Sequence, residues 1–338
     1  MPEELLSQLG ESGAIRMIAQ AFPCLAGFVK KGIGDDCAVL EFKGCDPLLI
    51  TTDMLVEGVH FKEQTLSYED LGWKALAVSV SDIAAMGGRP ATALLSIGLR
   101  PSTPVSAFES FIHGFRAMAI ESGVALVGGD TVSVGKDLVV SVTLLGTCRR
   151  GDVVLRSGAR AGDDIWVTGA LGDSAAGLEV LLLGGGDINS YSRLVARHQR
   201  PFPRFGIGNR LAERRIASAM IDISDGISKD LLLLCEASGV GGVVEEKAVP
   251  FSEQLLVFAR RHSRNPLDFA LHGGEDYELA FTASPQYREE IKQIALEASD
   301  GTPARIGSII EEPGLWLERG GVKARMSAQG YFHFNKAR

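Results

Sequence analysis

The stretch CRRGDVVLRSGARAGDDIWVTG, Cys148 to Gly169, leaves one long strand, runs through a turn rich in glycine and arginine, and enters a new apolar strand. Composition shifts of this kind mark domain boundaries, because few contacts cross an exposed polar turn. We place the boundary near residue 150, giving an N-terminal unit over 1–150 and a C-terminal unit over 151–338. The chain length of 338 residues agrees, since a single hydrophobic core stops growing at about 250–300 residues.

Upstream of the boundary, strand-like runs occur at DPLLITTD (46–53), TALLSIGL (92–99), VALVGG (124–129) and the alternating DLVVSVTLLGT (137–147). Helical periodicity appears near Leu71–Met86 and Val105–Ser122. Ser67 with Asp70 three residues on reads as an N-terminal cap for the first helix, and Gly87-Gly88 before Pro90 stops it. Downstream, strands are expected at DIWVTG (164–169), SAMIDI (218–223), VGGVVEE (240–246), YELAFTA (277–283) and ARIGSII (304–310). Helices are expected near Ala175–Leu183, Phe205–Ala217, Ile227–Ala237, Ser252–His262 and Pro285–Ser299. Each half is therefore mixed, and the fold class is α+β: two mixed α/β domains with no short repeat.

Composition excludes several classes of function. Hydrophobic residues make up 46% and charged residues 22%, ordinary values for a globular chain. The formal charge is −8 with no basic run, so the footprint of a nucleic-acid binder is missing. The start MPEELLSQLGESG is acidic, and no apolar stretch approaches the ~20 residues that span a bilayer. Cys24, Cys37, Cys45, Cys148 and Cys235 are odd in number and lack a CxxC pair, as expected of reduced thiols in a cytoplasmic protein.

The chemistry concentrates in four segments where an apolar run ends at a carboxylate beside small or hydroxylated residues. These are GIGDDCAVL (32–40), LLITTDMLV (48–56), VALVGGDTV (124–132) and MIDISDGIS (220–228), joined by Asp82 in the helical AVSVSDIAAMGG (77–88). Any one such aspartate is ordinarily a turn residue or helix cap. Several converging would be unstable alone, since unit charges ~4 Å apart repel by about 4 kcal/mol at an effective dielectric of 20. Hard divalent cations remove that repulsion, and Mg²⁺ is typically shared between carboxylates and phosphate. Of the adjacent pair Asp35 and Asp36, one would then be a cation ligand and the other its neighbour.

In MIDISDGIS, Ser224 or Asp225 could cap a helix starting near Ile227, a place where phosphate also binds. GGDT (128–131) offers backbone donors beside Asp130, and HGGEDYELAF (272–281) repeats the glycine-then-acid arrangement at Glu275 and Asp276. Asp163 and Asp164 read as a surface turn. His60, on the segment that carries Asp53, is a candidate substrate contact. Arg156, the loop RHQRPFPR (197–204) with His198, Arg200 and Arg204, and more weakly Lys74 are candidate sources of positive charge. There is no P-loop, no complete GxGxxG, no zinc-type His/Cys set and no GxSxG nucleophile.

Taken in order, GIGDDCA, TTDMLVEGVHF, WKALAVSVSDIAAMGG, GGDT, LRSGARAGD, VTGALGDSAAGL, RHQRPFPR, IDISDGISKDL and HGGEDYELAF resemble the thiamine-monophosphate kinase family of the aminoimidazole ribonucleotide synthetase superfamily. The resemblance covers nearly the whole chain. It implies transfer of the γ-phosphoryl of ATP to thiamine monophosphate, with several Mg²⁺ ions, in a dimer whose N-terminal sheets pair. It implies metal binding at Asp36, Thr51, Thr52, Asp53, Asp82, Asp130, Asp222 and Asp225. ATP contacts would fall at Gly129, Asp130, Arg156 and Ser224, and substrate contacts at His60, Glu275 and Tyr331. Two departures stand out: Ser79 where the family usually has Asn, and Phe332 where it has an acid.

A phosphate nucleophile with a second pKa around 6 is already ionised at neutral pH, so no catalytic base is required. Positioning and charge stabilisation then suffice, which points to direct in-line transfer with Asp53 and Asp82 central. The rivals are another ATP-dependent enzyme of the superfamily with a different acceptor, and a non-catalytic binder of nucleotide or thiamine phosphate.

Overall fold

Alternation along Leu48–Val56 and Val139–Thr147 puts Leu49, Leu55, Val140, Val142 and Leu144 on one face of a sheet, where all five are buried. The computed structural model describes residues 6–23, 26–184, 188–298, 300–327 and 329–331. Its first sheet contains β1 (Val29–Lys31), β2 (Ala38–Leu40), β3 (Leu48–Val56), β4 (Arg89–Leu99), β5 (Ala125–Ser133) and β6 (Val139–Thr147). Their order is β1-β2-β3-β6-β4-β5, antiparallel except for the parallel β4–β5 pair. Helices α1 (Leu6–Ala21), α2 (Tyr68–Ala85) and α3 (Val105–Ser122) belong to this half.

The second sheet holds β7 (Asp164–Val167), β8 (Ala217–Asp222), β9 (Gly241–Glu245), β10 (Leu279–Ala283), β11 (Ala304–Ile310), β12 (Gly314–Arg319) and β13 (Val322–Arg325). The order is β13-β12-β9-β11-β7-β10-β8, with one parallel pair, β9–β12. Around it lie α4 (Asp173–Leu183), α5 (Ser192–Gln199), α6 (Phe205–Glu213), α7 (Ile227–Ser238), α8 (Glu253–Arg261), α9 (Pro266–His272) and α10 (Arg288–Ala298). Two mixed α/β units result, as the sequence indicates.

Helix α2 is the shared element. Ser67 caps it by accepting from the Asp70 amide, as expected. Beyond its first turn it is buried at almost every position, the signature of a helix enclosed on all sides. It packs against β3 and β6 of the first sheet and against α6 and β8 of the second half. Small residues allow this. A Cβ on Gly72 would lie 2.0 Å from Phe111 O, and one on Gly114 would lie 1.7 Å from Glu69 O, so the α2–α3 crossing requires glycine on both helices.

Helices α1, α5 and α9 and strands β1, β12 and β13 lie outside the sequence-derived map; β1 spans three residues and β13 is exposed throughout, so neither offers an apolar period to read. Asp163 and Asp164 are corrected. Both are buried; Asp164 opens β7 with Arg288 and Arg305 paired to it, and Asp163 accepts from Ser218 Oγ. The loop RHQRPFPR is corrected too, because its first three residues close α5 and its charges are already engaged. Arg200 pairs with Glu69 and Asp70, and Arg204 pairs with Glu278. No described helix is long and apolar enough to cross a membrane. Cys37, Cys45, Cys148 and Cys235 are free thiols; Cys24 lies outside the described residues.

Candidate active site

Three elements bring the acids together. Asp36 precedes β2, Asp82 lies near the C-terminal end of α2, and Asp222 ends β8. One carboxylate oxygen from each lies within 4.8 Å of the others. Asp53 on β3 joins them through α2: Ser79 Oγ donates to Asp53 Oδ2 at 2.8 Å, Ser81 Oγ to Asp222 Oδ2 at 2.7 Å, and Thr51 Oγ1 to Asp82 Oδ2. Ser79, where the resemblance leads one to expect Asn, therefore still supplies a donor to Asp53.

The electrostatics of the cluster call for a cation. Burial first, then the charges of Asp53, Asp222 and Asp36, push the Asp82 carboxyl well above its usual range. Burial and then Asp36 do the same to Asp222, and burial raises Asp53. Cys37 is held protonated beneath them by burial and the same carboxylates. The donor set is oxygen only, closely spaced and backed by hydroxyls, which suits a hard divalent ion. Arg156 is the nearby guanidinium: Nη2 and Nε donate to Asp36 Oδ1 and Oδ2 at 2.7 and 3.1 Å.

Not every residue in the expected set joins this group. Side chains alternate along β3, so Thr52 faces away from Asp53 and bonds Thr143 Oγ1 at 3.1 Å instead. Asp130 is exposed on the edge strand β5. Register runs Asp53–Val142–Leu95–Gly129 across β3, β6, β4 and β5, so Asp130 begins three strands away, ~14 Å at the usual strand spacing. Opposite Ser96, it shares the outer face of the sheet with Thr52. At Gly129, φ is +151° and a Cβ would lie 1.7 Å from Leu95 O, so this position needs glycine whatever it binds.

A second group lines a cavity of about 230 Å³ bounded by Val59, His60, Ala175, Leu178, His198, Ser224, Asp225, Gly274, Glu275, Tyr277 and Tyr331. It contains His60, Ser224, Asp225, Glu275 and Tyr331 together. Asp225, three residues beyond Asp222, pairs with Lys229 at 2.6 Å. Neither Ser224 nor Asp225 caps α7, in contrast to the expectation. Gly226 takes the capping position, and Asp230 Oδ2 accepts from the amides of Asp225 and Gly226. The Val56 amide donates to His60 Nδ1 at 3.0 Å, which leaves Nε2 as the N–H of the neutral ring. Phe332 lies outside the described residues.

Sequence reasoning gave no site role to Ser79, Ser81 or Tyr277. Ser79 and Ser81 sit one turn and one residue before Asp82, and that spacing was the available signal. Tyr277 carried none, because its backbone takes an unusual φ of +49° that only the folded turn imposes.

Two α/β units with a carboxylate cluster drawn from both define a class. Residues 34–148 match the AIR synthase related protein, N-terminal domain, and residues 160–318 match the C-terminal domain of the same family. Thiamine-monophosphate kinase of Aquifex aeolicus is 39% identical over 331 residues, covering 97% of this chain and 99% of that one. The solved structure of AaThiL complexed with AMPPCP and TMP has a TM-score of 0.87 at 34% identity, covering 98% of this chain and 100% of that one. Hydrogenase maturation protein HypE in complex with ATP shares the fold, with a TM-score of 0.71 at 19% identity over 98% of this chain and 99% of that one. On this likeness the chain belongs to the thiamine-monophosphate kinase family within the AIR synthase related proteins.

Proposed function

We propose that this chain phosphorylates thiamine monophosphate with ATP, giving thiamine diphosphate by direct in-line transfer. The observation that carries the reading is the convergence of Asp36, Asp82 and Asp222 within 4.8 Å, beside a cavity reached through Ser224 and Asp225. Asp36, Asp53, Asp82 and Asp222, with Thr51, would hold Mg²⁺, whose charge offsets the repulsion between two phosphate groups. The acceptor phosphate is its own nucleophile, and among the described residues around the cluster no general base is needed.

The cavity suits the other end of the acceptor. Burial opposes ionisation of Glu275, yet the Lys74 charge and hydrogen bond hold its carboxyl below the usual range, so it is ionised beside Tyr277 and Tyr331. An anion with aromatic faces favours a cationic heteroaromatic ring, and thiamine monophosphate carries a thiazolium. His60 Nε2–H supplies a donor at the same wall.

The N-terminal unit, 1–150, would supply metal and phosphate binding and dimerisation, and the C-terminal unit, 151–338, would complete the cleft. Met54, Leu94 and Val132 are exposed on the outer face of the first sheet, an apolar surface that fits a second copy. Thr52 and Asp130 lie on that face, and the metal and nucleotide contacts proposed for them, and for Gly129, rest on the resemblance alone. Arg156 and Ser224 complete the proposed ATP contacts, and the free thiols suit a reducing cytoplasm. ADP formation that appears only when thiamine monophosphate and Mg²⁺ are both added is the expected result; equal ADP release without the acceptor would refute the reading.

A further inference from the structure

Two residues that line the cavity, His198 and Glu275, are held by a buried lysine. Lys74 is 1% exposed on α2, and an ammonium so placed needs matched partners. Its Nζ donates to Glu275 Oε2 at 2.9 Å and to His198 O at 3.1 Å, both in the other half of the chain. His198 Nδ1 stands 3.3 Å from the same Glu275 oxygen and 3.2 Å from Ser174 Oγ. Burial and the Lys74 charge hold the His198 ring down at about 3, so it is neutral at physiological pH and Lys74 is the permanent charge set against Glu275.

Glu275 is itself constrained. Its φ is +65°, and φ at Tyr277 is +49°, left-handed values that non-glycine residues keep only where their surroundings enforce them. The Glu275 amide donates to Ser224 O at 2.7 Å, and the Tyr277 amide to Ile223 O at 2.9 Å. Oε2 is taken by Lys74, whereas no described residue donates to Oε1, and the side chain lines the cavity.

We propose that Lys74 is a positioning residue for the acceptor: by fixing Oε2 of Glu275 it presents Oε1 to the cationic ring of the acceptor. Lys74 and Asp82 are eight residues apart on one helix, about 12 Å along its axis. The helix thereby sets the span between the site for the ring and the metal cluster that receives the phosphate. This inference rests on thiamine monophosphate being the acceptor.

Calorimetric titration of the full chain with thiamine monophosphate, and separately with Mg-AMPPCP, tests it. Lys74→Met should weaken thiamine monophosphate about 30-fold and raise its KM more than it lowers kcat, with Mg-AMPPCP affinity changed by less than about twofold. Placed in a Glu275→Gln background, the same substitution should cost less than about threefold, because the residue it acts through is already altered. Should Lys74→Met fail to fold, Lys74→Arg carries the test, with a loss of about fivefold in the wild-type background and none beyond Glu275→Gln. Unchanged acceptor affinity in the Lys74 variant, or an equal loss with and without Glu275, overturns the proposal alone. A wild-type chain that binds Mg-AMPPCP but not thiamine monophosphate overturns the acceptor assignment as well.

Discussion

Arg156 grips Asp36 with both arms of its guanidinium, Nη2 to Oδ1 at 2.7 Å and Nε to Oδ2 at 3.1 Å. The pair joins the strand-entry loop of the first half to the segment that leads into the second. Such forked pairs depend on planar geometry as well as charge. Arg156→Lys keeps the charge and loses the fork, so KM for ATP should rise about 10-fold with the melting temperature little changed. Steady-state kinetics at fixed Mg²⁺ check this.

Asp53 and Asp82 should matter most in the transition state. Asp53→Ala should lower kcat by on the order of 10²–10³ while changing thiamine monophosphate binding far less. Comparable losses in kcat and in acceptor Kd, measured by single-turnover kinetics and calorimetry, would remove it from that role.

Stability should respond to Asp82 in the opposite sense. Burial and three neighbouring carboxylates oppose its ionisation, so Asp82→Asn in EDTA should melt at the same temperature as the wild-type chain or a few degrees higher. Added Mg²⁺ should stabilise the wild-type chain more than the variant. Differential scanning calorimetry with and without Mg²⁺ gives the comparison.

His198 should make the fold acid-sensitive. Its folded pKa, about 3, lies below the ordinary 6.5, so the folded state favours the neutral ring. That contribution is complete above pH 6.5 and is lost as pH falls toward 3, because only the unfolded chain gains the proton readily. Between pH 6 and 4 the wild-type chain should lose up to about 1.4 kcal/mol per pH unit more than His198→Gln, measured by urea denaturation. Parallel curves for the two proteins would count against a neutral buried ring.

The dimer proposed through the outer face of the first sheet should dissociate when that face is charged. Leu94→Glu places a carboxylate among Met54 and Val132, and light scattering should then report a monomer. A monomeric wild-type chain would dispose of the dimer.

Gly72 and Gly114 carry the helix crossing beneath the site. Gly114→Ala would drive a methyl to 1.7 Å from Glu69 O, and it should cost at least about 3 kcal/mol of stability. Equilibrium unfolding reads the loss directly.

Much of this was present in local pattern. Alternation located β3, β4 and β6, and a cap at Ser67 with stop signals at Gly87-Gly88 bounded α2 within a few residues. Carboxylates beside apolar runs marked Asp36, Asp53 and Asp222; Asp36 and Asp222 do lie next to strand ends, whereas β3 continues past Asp53, which reaches the cluster by alternation along the strand. Asp163 and Asp164 have the same local look and serve a different end, since Arg288 and Arg305 come from elements more than 100 residues away to cover Asp164.

The sequence by itself determined two mixed units, an acid-rich phosphate chemistry and the residue types able to perform it, since periodicity and residue type are properties of short segments. Tertiary structure alone decided which of those residues meet. The two-residue alternation of β3 turns Asp53 toward α2 and Thr52 away from it, and strand order places Asp130 on the far edge. Burial beside Lys74 made the Glu275 turn part of a cavity. Proximity between distant segments depends on how helices and strands pack, and no local pattern encodes it.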